Sequence, residues 1–140
     1  MKLPLNIAIV DDETEVHTIF NFHFKKAIRK NHLVLHNFLN GKECYDFVSS
    51  KSDKIEIILI YSDINMPVMG GIAAALRIRE EAIERAEPRV PIVALTANAM
   101  SHQVNDYLDA GLDAHIAKPV GRAELVRVIG SFLSQRVSRP

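Results

Sequence analysis

Apolar residues fall along this chain in short runs that alternate with stretches of helical spacing. Residues 6–10 are almost wholly apolar and stop abruptly at Asp11-Asp12, the pattern of a buried strand. From Glu13 to about Lys30, the positions Val16, Ile19, Phe20, His23, Phe24 and Ala27 line one face of a single helix. Residues 33–39 read as a second strand, and Gly41 opens a shorter helix ending near Lys51. Residues 55–62 form a third strand with little alternation, so both its faces are covered. A loop follows over 65–71. A helix then runs from Ile72 to about Glu87, with Arg77, Glu81 and Arg85 spaced along its wet side. Residues 91–96 are a fourth strand, Ser101 caps a helix ending near Gly111, and residues 113–118 are a fifth strand. Leu125, Val128, Ile129, Phe132 and Leu133 stripe a last helix. Strands alternating with helices predict a parallel sheet with helices on both faces, the first and last helices sharing one of them. The whole chain, 1–140, reads as one domain with no separate output domain.

Composition narrows the function. Seventeen basic and seventeen acidic side chains cancel. A neutral chain has no basic field with which to hold nucleic acid or an anionic membrane non-specifically. The single cysteine, Cys44, excludes an internal disulfide framework and a cysteine-built zinc site, and reads as a buried small side chain. The longest apolar run, over 57–61, falls far short of the roughly 20 residues of a membrane span. The start lacks a signal-peptide cleavage site, so a cytoplasmic location is expected. Seven of the eight lysines lie at or before Lys54, and eight of the nine arginines lie at or after Arg77. Chance with an alanine-rich helix accounts for this, as does a recombined chain whose halves meet near the loop over 63–71.

In an open parallel sheet, ligands gather at the carboxyl ends of the strands. Here those ends carry Asp11-Asp12, Asp63, Thr96 and Lys118-Pro119. Carboxylates crowded together repel, and a hard divalent cation such as Mg²⁺ relieves them with oxygen ligands. Lys118 adds a fixed positive charge and Thr96 a hydroxyl donor. These are parts that phosphoryl transfer uses, and a carboxylate is itself a competent nucleophile toward phosphorus.

The stretches Val10-Asp11-Asp12-Glu13, Asp63-Ile64-Asn65-Met66-Pro67, Ala94-Leu95-Thr96-Ala97 and Ala117-Lys118-Pro119 resemble, in order and spacing, the signature of two-component response-regulator receiver domains. The resemblance spans nearly the whole chain. It implies a flavodoxin-like (βα)5 three-layer α/β sandwich with strand order 2-1-3-4-5. It implies Asp63 as the phosphoacceptor, attacking the phosphohistidine of a sensor histidine kinase or phosphotransfer protein. It implies Mg²⁺ (or Mn²⁺) held by Asp11, Asp12, Asp63 and the backbone carbonyl of Asn65. Lys118 and Thr96 would contact the phosphoryl group, and the Lys118-Pro119 bond would be cis. The domain would assist its own phosphorylation and dephosphorylation without being a turnover enzyme. Output would pass to a protein partner through the helix over 101–111, the fifth strand and the last helix, in a monomer or weak dimer. His115 stands where the family commonly has a rotating tyrosine or phenylalanine, which would make the switch sensitive to pH near neutrality. Gly70 departs from a common aspartate, and residues 96–100 resemble receivers attached to hybrid kinases.

Other readings fit less well. A Mg²⁺-dependent aspartyl phosphatase wants an acid two residues after its nucleophile, where this chain has Asn65. A flavin carrier wants a hydroxyl- and glycine-rich loop in place of residues 11–15, where anionic phosphate would be repelled. A receiver-like interaction module without phosphorylation is the remaining alternative. His17 and His23, six apart on a helix, and His32 and His36, four apart around a strand, do not make metal pairs.

Overall fold

Five β-rich runs do pair into one all-parallel sheet. The computed structural model describes residues 4–50, 57–63, 71–84, 90–96, 109 and 111–138. The strands are β1 (Leu5–Val10), β2 (Leu33–Phe38), β3 (Ile57–Asp63), β4 (Ile92–Thr96) and β5 (Ala114–Ala117). Their order across the sheet is β2-β1-β3-β4-β5, as expected. The helices are α1 (Thr14–His23), α2 (Lys25–Arg29), α3 (Gly41–Ser50), α4 (Gly71–Glu84) and α5 (Arg122–Ser138). The helix predicted over 101–111 lies outside the described residues, apart from Asp109 and Gly111. None of the described helices is long and apolar enough to cross a membrane.

Strand side chains alternate between faces, so each strand feeds two cores. Ile7, Ile9, Tyr61, Val93, Leu95 and Ile116 face α1 and α5, where Val16, Phe20, Leu125 and Val128 meet them. The predicted stripe of the last helix is therefore its packing face, and the first and last helices share one side of the sheet. Ala8, Val10, Ile60, Ile92 and Ala94 face the other way, against Cys44 of α3 and Ile78 of α4. Both cores draw on residues from either side of the segment over 64–70.

The helix expected from Glu13 to Lys30 is in fact two. Phe24, at φ −104° and ψ 15°, leaves helical geometry between α1 and α2. Hydrogen bonds from Phe24 N–H to Phe20 O (3.1 Å) and from Ile28 N–H to Phe24 O (2.9 Å) carry across it, so the apolar period survives the break. Asn31 ends α2 in the left-handed region, at φ 59°. Its N–H donates to Ile28 O, and the next N–H, of His32, reaches back to Ala27 O. This doubled closure satisfies two terminal carbonyls and turns the chain into β2.

A second expectation needs correcting. Glu81 does not lie along the wet side of α4. It accepts hydrogen bonds from the Tyr45 hydroxyl and from Ser49 Oγ (2.7 Å), tying α4 to α3. Arg77, still exposed, places its guanidinium 4.8 Å from the centre of the Tyr45 ring.

Candidate functional site

The sheet's order places β1 and β3 side by side, so their carboxyl ends open onto the same edge. Asp11 follows β1 directly and Asp63 closes β3. Both are buried, at 0% and 5% exposure, an unusual placement for aspartates and one that demands a counter-charge. Asp12 and Glu13 lie beside them and are exposed. Each of Asp11, Asp12, Glu13 and Asp63 offers a carboxylate oxygen, and these oxygens all lie within 4.8 Å of one another.

Lys118, carried by the turn after β5, reaches into this cluster. Its Nζ lies 2.8 Å from Asp11 Oδ2, 3.4 Å from Asp63 Oδ2 and 3.4 Å from Glu13 Oε1. Burial works against its charge but is outweighed by the contact with Asp11 and by the charges of Asp11, Asp63 and Glu13. The ammonium is therefore held above its ordinary pKa. The Lys118-Pro119 bond is cis. Lys118 N–H donates to Thr96 O (2.7 Å), which fixes this turn to the end of β4.

Thr96 is fully buried, and among the described residues its hydroxyl has no hydrogen-bond partner. His115 pairs with Ala94, and Ala117 pairs with Thr96. His115 therefore stands on the same face of the sheet as Thr96, one step back from the edge. Asn65 lies outside the described residues. Asp11, Asp12, Asp63 and Lys118 thus meet in one cluster, and Thr96 ends the neighbouring strand β4 with its backbone carbonyl accepting from Lys118 N–H.

Two neighbours of this cluster were not foreseen. Glu13 joins it as a fourth carboxylate, signalled only by its place after the aspartate pair. His17 is buried against Asp11, with Nε2 2.8 Å from the Asp11 carbonyl oxygen. Its signal was helical spacing, since positions 17, 20 and 24 fall on one face.

The donor set suits a hard divalent cation. It is all oxygen, strongly anionic and partly open to water through Asp12 and Glu13. At the same edge the Thr96 hydroxyl, without a partner among the described residues, can donate to a further anionic group.

The sequence matches the family model of the response regulator receiver domain over residues 7–130. The chain is a response regulator receiver domain. The receiver is 43% identical over 76 residues to the peroxide stress-activated histidine kinase mak1 of Schizosaccharomyces pombe, covering 54% of this chain and 5% of that protein. It is 35% identical over 130 residues to hybrid signal transduction histidine kinase G of Dictyostelium discoideum, covering 91% of this chain and 4% of that protein. The receiver thus spans only a small part of the curated relatives it matches. Among solved structures, the co-crystal of the Saccharomyces cerevisiae phosphotransfer protein Ypd1 with the receiver domain of Ssk1 contains a similar chain. The match has a TM-score of 0.79 at 25% identity, over 94% of this chain and 90% of that one. The receiver domain of the Pseudomonas aeruginosa sensor kinase PA1611, with a magnesium ion in its active-site cleft, has a TM-score of 0.73 at 25% identity, over 94% and 98%. This receiver is accordingly a signalling domain of two-component systems with the flavodoxin-like fold.

Proposed function

We propose that this receiver takes a phosphoryl group onto Asp63 from the phosphohistidine of a histidine kinase or a histidine phosphotransfer protein. The observation that carries the reading is the position of Asp63. It is a nearly buried carboxylate at the end of the central strand, 3.4 Å from Lys118 Nζ and within one cluster with three further carboxylates. An Asp63 oxygen attacks phosphorus, the O–P bond forms, and the P–N bond breaks with its electron pair going to the donor imidazole. Hydrolysis later returns inorganic phosphate and the free carboxylate. The domain assists both steps without processing a diffusible substrate.

Asp11, Asp12 and Asp63 would hold Mg²⁺, or Mn²⁺, with the Asn65 carbonyl as a further ligand. When bound, the ion supplies positive charge to the phosphoryl oxygens. Lys118 supplies a second positive charge from the chain itself, and Thr96 donates its free hydroxyl to a phosphoryl oxygen. Phosphorylation adds about −1.5 to −2 charge at this edge. Drawing Thr96 toward that charge changes the packing next to His115, which lies on the same sheet face. The surface of β5 and α5 then presents a changed contour to a protein partner, and the helix expected over 101–111, outside the described residues, would share in that output. The mak1 and Dictyostelium relatives are histidine kinases, and Ypd1 is a phosphotransfer protein, which supports this class of donor.

The test is intact mass after incubation with a small-molecule phosphodonor, with and without Mg²⁺, for the wild type and Asp63→Asn. One added phosphoryl group that requires both Mg²⁺ and Asp63 is the expected result. Absence of an adduct, together with no binding of beryllium fluoride, would leave an interaction module that is not regulated by phosphorylation.

A further inference from the structure

We propose that His17 is a positioning residue for the acidic cluster. By donating its Nε2–H to the Asp11 carbonyl, it fixes the peptide plane between Asp11 and Asp12. The directions in which both carboxylates leave the strand are set by that plane. The proposal rests on reading Asp11 and Asp12 as Mg²⁺ ligands.

β1 ends at Val10, where the ladders to Phe38 of β2 and Ser62 of β3 also end. The Asp11 N–H still reaches Phe38 O (3.0 Å), but the carbonyl has passed beyond the strand. A buried carbonyl needs a donor. The donor here is His17, whose Nε2 lies 2.8 Å from Asp11 O. A carbonyl only accepts, so the hydrogen sits on Nε2. The other ring nitrogen, Nδ1, lies 2.8 Å from the side-chain amide oxygen position of Asn37 on β2. Whichever way the Asn37 amide is turned, this second contact ties the ring to β2. One buried ring on α1 thus ties together three elements at the point where the acidic cluster begins.

The tie acts on function through repulsion. Four carboxylates with oxygens within 4.8 Å of one another push apart when no cation is bound. The Asp11 side chain is already restrained, since Oδ1 accepts from Glu13 N–H at 2.8 Å and Oδ2 lies 2.8 Å from Lys118 Nζ. Among the described residues, His17 is what holds the backbone between Asp11 and Asp12. A peptide unit is planar, so holding its oxygen also holds the nitrogen of Asp12. The geometry is then set by the fold and is not assembled afresh by the ion. Partners of this outer kind typically change metal affinity by about ten- to a hundredfold when removed.

Two near-isosteric variants separate positioning from mere packing. In His17→Gln the amide nitrogen takes the place of Nε2 and keeps the donor to Asp11. In His17→Asn the side-chain amide takes the place of Nδ1, turns its oxygen or its nitrogen to keep the Asn37 contact, and loses Asp11. Mg²⁺ affinity of the purified chain is measured by calorimetry, and melting temperature is measured without Mg²⁺. Asp12→Asn serves as the control for the site itself. The expected result is a roughly tenfold weaker Mg²⁺ affinity in His17→Asn, recovered in His17→Gln. Wild-type affinity in His17→Asn, with affinity lost in Asp12→Asn, overturns the proposal and leaves the ion site standing. A ranking of Mg²⁺ affinities that follows melting temperature instead of the Asp11 donor also overturns it. Unchanged affinity in Asp12→Asn overturns the ion-site reading, and the proposal with it.

Discussion

Thr96 has a fully buried hydroxyl that, among the described residues, finds no partner. An unpaired buried hydroxyl has lost its water without gaining a protein bond, at a cost of about 1 kcal/mol or more. Thr96→Val keeps the shape and removes that cost. The variant should melt at the same temperature or higher, while losing the donor that meets the phosphoryl group. Thermal melting monitored by circular dichroism checks the first part, and a melting point well below wild type would show that the hydroxyl is satisfied after all. Lys118 presents the opposite case, since its ammonium contacts the carboxylates that would hold the ion. In Lys118→Ala, Mg²⁺ should bind at least as tightly, because a competing cation has gone. Phosphoryl uptake should nonetheless slow by about a hundredfold, the scale of losing one charge-stabilising group. Calorimetry and a mass time course separate the two effects. These residues were legible because each stands where an apolar run stops, and strand ends meet at one edge in a parallel sheet. Glu81 and His17 were misjudged or missed because their partners lie on other elements. No local pattern connects Glu81 with Tyr45, or His17 with Asn37.

Elements were legible where burial imposes a period. The stripe of α5 and the near-continuous apolar runs of β1 and β4 follow directly from being covered on one side or two. The interruption at Phe24 was hidden, because its apolar ring keeps the helical period while its backbone departs from it. β2 illustrates what an edge strand adds. Its His36 donates toward Asn6 Oδ1 (3.0 Å) on β1 and packs 5.2 Å, centre to centre, from the Phe47 ring of α3. Burial lowers the pKa of His36 below its ordinary 6.5. The unfolded ring therefore takes up a proton at a pH where the folded ring stays neutral. Between 6.5 and the lower folded value, the unfolded state binds more protons, and stability rises with pH. Above 6.5 both forms are neutral and this contribution is flat. His36→Gln keeps a donor for Asn6 and cannot titrate. Denaturant midpoints from pH 5 to 8 should fall less steeply on the acid side in this variant, and parallel curves would remove His36 from the account.

At the scale of the molecule, the single cysteine offers a way to ask whether the site and the cores open together. Cys44 sits on α3 at 1% exposure, in the core formed by Ala8, Val10, Ile60, Ile92 and Ala94. Burial pushes its thiol up to about 12, so almost no thiolate exists in the folded state at neutral pH. A thiol reagent can therefore label it only after an opening that exposes it. Two openings are possible: fraying of α3 alone, or unfolding of the sheet with both of its cores. Mg²⁺ distinguishes them, because its proposed ligands lie on β1's end and β3, not on α3. An ion that binds only the folded sheet stabilises it by RT ln(1 + [L]/Kd). At ten times its Kd, global opening becomes about elevenfold rarer, and labelling slows by the same factor. Local fraying of α3 leaves the ligands in place, so labelling would continue at its original rate. The register favours the first outcome. β1 pairs through Val10 with Phe38 and Ser62, and Ala8 and Val10 themselves form the surface on which Cys44 packs. Uncovering the thiol then disturbs the strand that carries Asp11. Labelling rates measured with and without Mg²⁺ should show the full slowing, and an unchanged rate would assign α3 its own, lower stability.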